Sequence, residues 1–178
     1  MEEEIVSKTV IKNIGKIITG DIDNPVLAAD TIVIEDKLIV AIGGSELFTD
    51  LEAATVIDAN NATVTPGLFD THVHVSGGDF APRQKTLDFI DSALHGGVTT
   101  MISAGEAHYP GRPKDPAGAK ALAITISKSY YNAPPSGVKV HGGAVILEQG
   151  LTEADFIEMK KEGVWIVGEI GRASCRER

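Results

Sequence analysis

Hydrophobic and polar positions along the chain follow two rhythms, and one gives way to the other near residue 66. Up to residue 64 the apolar residues come in short runs rich in Ile, Val and Thr, which suit half-buried strands better than helices. Ile5 to Ile18 is one such stretch. Thr31 to Glu35 and Lys37 to Ile42 flank Asp36, which predicts a tight hairpin, and Thr55 to Asp58 predicts a further strand closed by a turn at Asn60-Asn61. Residues 1–65 therefore predict a small β-sheet unit or part of a β-sandwich, without clustered catalytic side chains.

From Gly67 onward strands alternate with helices. Leu68 to Val75 predicts the first strand. Arg83 to His95 places Leu87, Ile90 and Leu94 at spacings of three and four, an amphipathic helix closed by Gly96-Gly97. Val98 to Ile102 is the second strand. Pro116 to Asn132 carries Leu122, Ile126 and Tyr130 on one face, a second helix that stops before Pro134-Pro135. Val138 to Leu147 predicts a third strand, with Gly142-Gly143 marking a kink or a close backbone approach. Thr152-Glu-Ala-Asp155 reads as a capping box with Asp in place of Glu, opening a helix that runs to Lys161 ahead of Gly163. Val164 to Val167 predicts the fourth strand. The order β-α-β-α-β-α-β predicts an α/β fold with a parallel sheet and right-handed crossovers. Only about 110 residues serve this unit, whereas a closed (β/α)8 barrel takes ~250. The pattern is thus a small open sheet or about four βα units of a barrel.

Composition narrows the class. The 178 residues are 43% hydrophobic and carry a formal net charge of -9, as expected of a globular protein with a substantial core. No apolar run reaches the length of a membrane span, and the acidic start Met1-Glu2-Glu3-Glu4 is unlike the basic start of a secretory leader. A cytoplasmic protein is expected, with neither nucleic acid nor membrane as partner, because an acidic chain without a basic patch repels both. The single cysteine, Cys175, rules out an internal disulfide. It lies in Arg172 to Arg178, a run with three arginines and no apolar periodicity. Ile170 to Arg178 reads as one frame of a widely used DNA-sequencing adapter, so residues 172–178 are expected to be a non-native tail on a fragment of a longer protein; a natural basic tail is the other reading.

The chemistry concentrates in Thr65 to His74, TPGLFDTHVH. Residues i and i+2 of a strand point to the same side, so His72 and His74 project together at the end of the first predicted strand. Neutral imidazole is the commonest ligand of zinc-like cations, and two on one strand end make half a site. Pro66-Gly67 before the strand and Gly77-Gly78 after it frame the pair. A solvated histidine pair is the bland alternative.

This motif, together with Gly97 to Gly105 (GVTTMISAG) and Val164 to Gly171 (VWIVGEIG), resembles the amidohydrolase superfamily. Ser76 to Lys85, Ala93 to Gly105 and Val138 to Leu147 are similar to a branch that hydrolyses cyclic amides, and the resemblance runs from about Ser7 to Gly171. It implies the N-terminal part of a (β/α)8 barrel over residues 66–171, preceded by part of a β-sandwich built from both chain ends. It implies two divalent metal ions, zinc with zinc or iron. His72 and His74 would bind the more buried ion, and Glu169 would bridge the two where many members use a carboxylated lysine. The substrate implied is a cyclic amide carrying a carboxylate, the enamide 6-oxo-1,4,5,6-tetrahydronicotinate, opened to 2-formylglutarate and ammonia in nicotinate degradation. The proton-shuttling aspartate and the later histidine ligands of this superfamily match no residue here, so no catalytic residue is assigned within the chain. The fragment alone is expected to be inactive, and the whole protein to be a homo-oligomer.

Several residues remain open. His108, Glu106, Asp79 and Arg83 follow the first two strands on the side where barrel active sites form; His108 and Asp79 are the candidates for substrate contact, against solvated loop or helix-cap roles. His141, early in the third strand, reads as a core histidine, and His95 as a helix-end residue. Lys114, Lys120 and Lys128 read as ordinary helix and loop charges. The glycine pairs lack phosphate-loop spacing, and no serine or cysteine nucleophile constellation is visible. Another cyclic amidohydrolase, of dihydroorotase, hydantoinase or imidazolonepropionase type, fits the same motif. So does a non-enzymatic module, if the chain is complete.

Overall fold

A computed structural model describes residues 7–47, 54–75, 87–105, 112–132 and 135–170. Its contacts divide the chain into two compact units, Met1–Pro66 and Gly67–Arg178.

The first unit contains β1 (Lys8–Lys12), β2 (Lys16–Ile18), β3 (Val26–Leu27), β4 (Thr31–Glu35), β5 (Leu38–Gly43), β6 (Ala54–Asp58) and β7 (Thr63–Val64). They form two sheets, ordered β5-β4-β1-β6 and β3-β2-β7. The Ile/Val/Thr-rich stretch at the start is not one strand. Asn13 takes a left-handed φ of 54°, which ends β1 in one sheet and lets β2 join the other. Ile14, Ile17 and Ile32 are buried, with Ile11, Leu27, Ile34 and Val64 packed on them, so apolar residues of both sheets share one core. The hairpin between β4 and β5 turns on Asp36 and Lys37, both at positive φ (47° and 75°). A two-residue turn of this kind needs left-handed backbone at both positions, which takes Lys37 out of its expected strand.

The second unit runs β8 (Leu68–Val73), α1 (Leu87–His95), β9 (Val98–Ser103), α2 (Pro116–Asn132), β10 (Lys139–His141), β11 (Val145–Leu147), α3 (Glu153–Lys161) and β12 (Val167–Ile170). The predicted start of the first helix at Arg83 lies outside the described residues. All strand pairs here are parallel: β10-β9-β8 in one ladder and β11-β12 in another. This is an α/β arrangement of four strand passes with helices between them. Ile126 and Tyr130 of α2 are buried with Val73, Val75, Ile90, Met101, Val138 and Val140, and Leu122 packs against the same cluster.

The first strand ends at Val73, two residues short of the expected Val75, and the third and fourth strands depart further from the sequence expectation. The third pass is broken at Gly142-Gly143 into β10, which pairs with β9, and β11, which pairs with β12. Both glycines lie hard against α2: a Cβ on Gly142 would sit 2.6 Å from the Tyr130 ring, and one on Gly143 2.3 Å from the Ala123 carbonyl oxygen. The fourth strand begins at Val167 rather than Val164. The Val164 N–H instead caps α3, donating to the Met159 carbonyl at 2.9 Å while Gly163 N–H donates to Lys160. With Gly163 at a φ of 95°, this is a Schellman ending, and Val164 drops its side chain among Ala123, Val145 and Met159.

Candidate metal centre

Strand alternation sets the site. Val73 and Val75 are buried, so His74 between them and His72 just before them face the other way, away from the core. The two rings stand edge to face with centroids 5.2 Å apart. Glu169 arrives from β12, 95 residues after His74 in the chain, and its Oε1 lies 3.3 Å from His74 Nε2 and 3.8 Å from His72 Nε2. One ligand atom from each of the three falls within 4.8 Å of the others. The side chains are 69%, 37% and 34% exposed for His72, His74 and Glu169, so a small molecule has access to the cluster.

Glycine makes the convergence possible. A Cβ on Gly168 would lie 2.0 Å from the Ala104 carbonyl oxygen and 2.6 Å from Gly105 N. The start of β12 therefore rests directly on the backbone that leaves β9, and the next residue, Glu169, reaches the histidines. A glycine inside a strand commonly marks such a contact.

The Gly105 carbonyl lies 3.1 Å from His74 Nδ1. A carbonyl only accepts, so Nδ1 carries the proton, and the lone pair of a neutral ring is then on Nε2, on the side of Glu169. A lone pair 3.3 Å from a carboxylate oxygen is repelled unless positive charge lies between them, either a proton on Nε2 or a cation bound by both. Two imidazole nitrogens and a carboxylate are the donor set of zinc, iron and manganese sites, and ligands of this number leave positions open for water and substrate. The residues thus fit a divalent cation.

Of the other candidates, Asp79, Arg83, Glu106 and His108 lie outside the described residues. His141 ends β10 and packs its ring edge to face on Trp165 at 5.4 Å; burial, with Lys139 nearby, holds its pKa below the usual histidine value. His95 closes α1, as expected. Lys120 pairs with Asp155 and Glu158, and Lys128 with Glu162, tying α2 to α3 and its end. Sequence reasoning passed over Ser103, Gly105 and Gly168, and over a buried ion pair in which Arg112 Nη1 stands 2.6 Å from Glu148 Oε1 without hydrogen-bond alignment. A glycine immediately before a candidate ligand was the available signal for Gly168.

No protein-family model matches the chain. It is 79% identical over 171 residues to an enamidase of Eubacterium barkeri, an alignment that covers 96% of this chain and 44% of that protein. A solved enamidase structure, described as a new member of the amidohydrolase superfamily, superposes with a TM-score of 0.85 at 79% identity over 93% of this chain and 43% of the other. A D-hydantoinase (dihydropyrimidinase) from Thermus sp. is similar at a TM-score of 0.59 and 27% identity, covering 89% of this chain and 32% of that one. The chain spans less than half the length of each of these proteins. Identity with the enamidase along nearly the whole chain, in a fold that superposes on it, means that this chain belongs to the amidohydrolase superfamily.

Proposed function

We propose that the whole protein is a metal-dependent cyclic amidase that opens the ring of 6-oxo-1,4,5,6-tetrahydronicotinate, a step of nicotinate degradation. One water opens the lactam; a second hydrolyses the resulting enamine, leaving 2-formylglutarate and ammonia. The observation that carries this reading is the convergence of His72, His74 and Glu169 from two distant strands, in a chain 79% identical to an enamidase.

His72 and His74 would hold the more buried of two divalent cations through Nε2, with Glu169 bridging the pair. Zinc with zinc or iron suits these donors. When bound, such cations polarise an amide carbonyl and acidify water. The chain's own residues supply the setting: β8 and the residue that follows it bring both imidazoles to one side, the Gly105 carbonyl keeps the His74 Nδ1 proton away from the cation, and Gly168 lets Glu169 close the site. The proton that must reach the departing ring nitrogen has no donor among the described residues, and the superfamily resemblance implies an aspartate outside this chain for that role.

The test is turnover by the full-length protein from the gene that encodes this chain. Offered the enamide, hydantoin and dihydroorotate, it should release ammonia from the enamide far faster than it opens the other two rings. His74→Ala should cut kcat/KM by at least ~100-fold, because Lewis-acid stabilisation is worth several kcal/mol. Preference for hydantoin or dihydroorotate would sink the substrate assignment while leaving the metal reading intact.

A further inference from the structure

Ser103 is the buried hydroxyl nearest the candidate ligands along the hydrogen-bond chain. It ends β9 and is 1% exposed. A hydroxyl so buried must be hydrogen-bonded to be tolerated. Its Oγ lies 3.1 Å from Gly105 N and accepts that N–H. Gly105 in turn turns its carbonyl to His74 Nδ1 at 3.1 Å. One residue is thus gripped at its N–H and does its own gripping at its C=O.

Glycine makes that grip necessary. Gly105 sits at a φ of 134°, open to glycine and strained for other residues. Without a Cβ its peptide would turn freely, and nothing intrinsic would keep the carbonyl aimed at His74. A side chain in its place is excluded, since a Cβ would lie 2.8 Å from Ile146 Cγ1. The restraint has to come from outside the residue. The Ala104 N–H, bonded to the Val73 carbonyl at 2.9 Å, fixes the peptide before Ala104; the Ser103 hydroxyl fixes the next one, which carries the Gly105 N–H and leads into its carbonyl.

We propose that Ser103 is a positioning residue of the metal centre: by holding the Gly105 N–H it keeps the Gly105 carbonyl on His74 Nδ1, and so keeps the proton off Nε2 and that nitrogen aimed at the cation. The proposal rests on the reading of His74 as a ligand. Groups that orient a ligating histidine through its second nitrogen typically cost ~10- to 100-fold in metal affinity when removed.

Zinc affinity of the full-length protein, measured by competition with a chromophoric chelator, tests it. Ser103→Ala should bind zinc ~10- to 100-fold more weakly with an unchanged circular dichroism spectrum, and Ser103→Thr, which restores the hydroxyl, should recover most of the loss. Long-range proton–nitrogen spectra of the metal-free protein labelled at histidine supply a readout that a purely structural role would not move. His74 should hold its proton on Nδ1 in the wild type and spread it over both nitrogens in Ser103→Ala. Zinc affinity and tautomer both unchanged in Ser103→Ala would overturn the proposal while leaving His74 a ligand. Zinc bound equally well by His74→Ala and wild type would overturn the ligand reading and this proposal with it. Should alanine at 103 prevent folding, Ser103→Cys keeps the volume with a weak acceptor, and wild-type zinc affinity there is likewise fatal to the idea.

Discussion

A single missing methyl group decides whether the three candidate ligands meet. Gly168 rests on the Ala104–Gly105 backbone, where an added Cβ would be 2.0 Å from a carbonyl oxygen that has no rotamer to escape into. Gly168→Ala must push β12 off the end of β9. The expected cost is about 1–3 kcal/mol of stability, the range for overpacking a filled site, together with weaker zinc binding as Glu169 withdraws. A chemical-denaturation curve and a zinc titration on the same sample check both; wild-type zinc affinity in a destabilised variant would separate Glu169 from the metal. At this scale the sequence was partly legible. His72 and His74 stood out because their spacing of two is itself a geometric statement about a strand. Glu169 could be picked out only by resemblance, since nothing local distinguishes it from a solvated strand-end carboxylate. Ser103 and Gly105 gave no signal at all: a serine among apolar residues is chemically mute until the partner of its hydroxyl is known.

Elements were legible where periodicity and punctuation agreed. Helix α2 spans Pro116–Asn132 as its apolar face and flanking prolines predict, and α3 opens at the expected Thr152. The boundaries that failed were set by tertiary contacts: the break at Gly142-Gly143 by the proximity of α2, and the late start of β12 by the use of Val164 to close α3. The cap of α3 yields a pH prediction. The Asp155 carboxylate accepts the Thr152 N–H at 2.9 Å and the Thr152 hydroxyl at 2.7 Å, and pairs with Lys120. The Thr152 hydrogen bonds above all, then Lys120, bring its pKa from 3.8 down to about 2. A carboxyl held low in the fold binds its proton more readily when unfolded. Its stabilisation is therefore complete above the unfolded value of 3.8 and is lost as pH falls through about 2. Asp155→Asn should lower the thermal midpoint of the full-length protein by a few degrees at neutral pH, and the gap from wild type should close as the melts are taken to the acid end. A gap independent of pH would show that the charge of Asp155 contributes nothing.

For the molecule as a whole, the chain divides into two units, with the boundary in the sequence between Pro66 and Gly67. Among the described residues no helix is long and apolar enough to cross a membrane. The chain covers 44% of the enamidase that it resembles, and the described residues offer three candidate ligands, which suffice for one cation and leave a two-cation site short of donors. The 178 residues expressed alone should therefore show no amidase turnover, whereas the full-length protein should. Turnover by the purified 178-residue chain would contradict the two-cation reading.

Whether His72, His74 and Glu169 hold a divalent cation is decided by diffraction from crystals of the zinc-loaded full-length protein at the zinc absorption edge. An anomalous peak is expected about 2.0–2.2 Å from Nε2 of His72 and of His74, with a Glu169 carboxylate oxygen at a similar distance. A map without a peak there, or with His74 Nε2 turned to a protein acceptor and zinc bound elsewhere, would contradict that expectation.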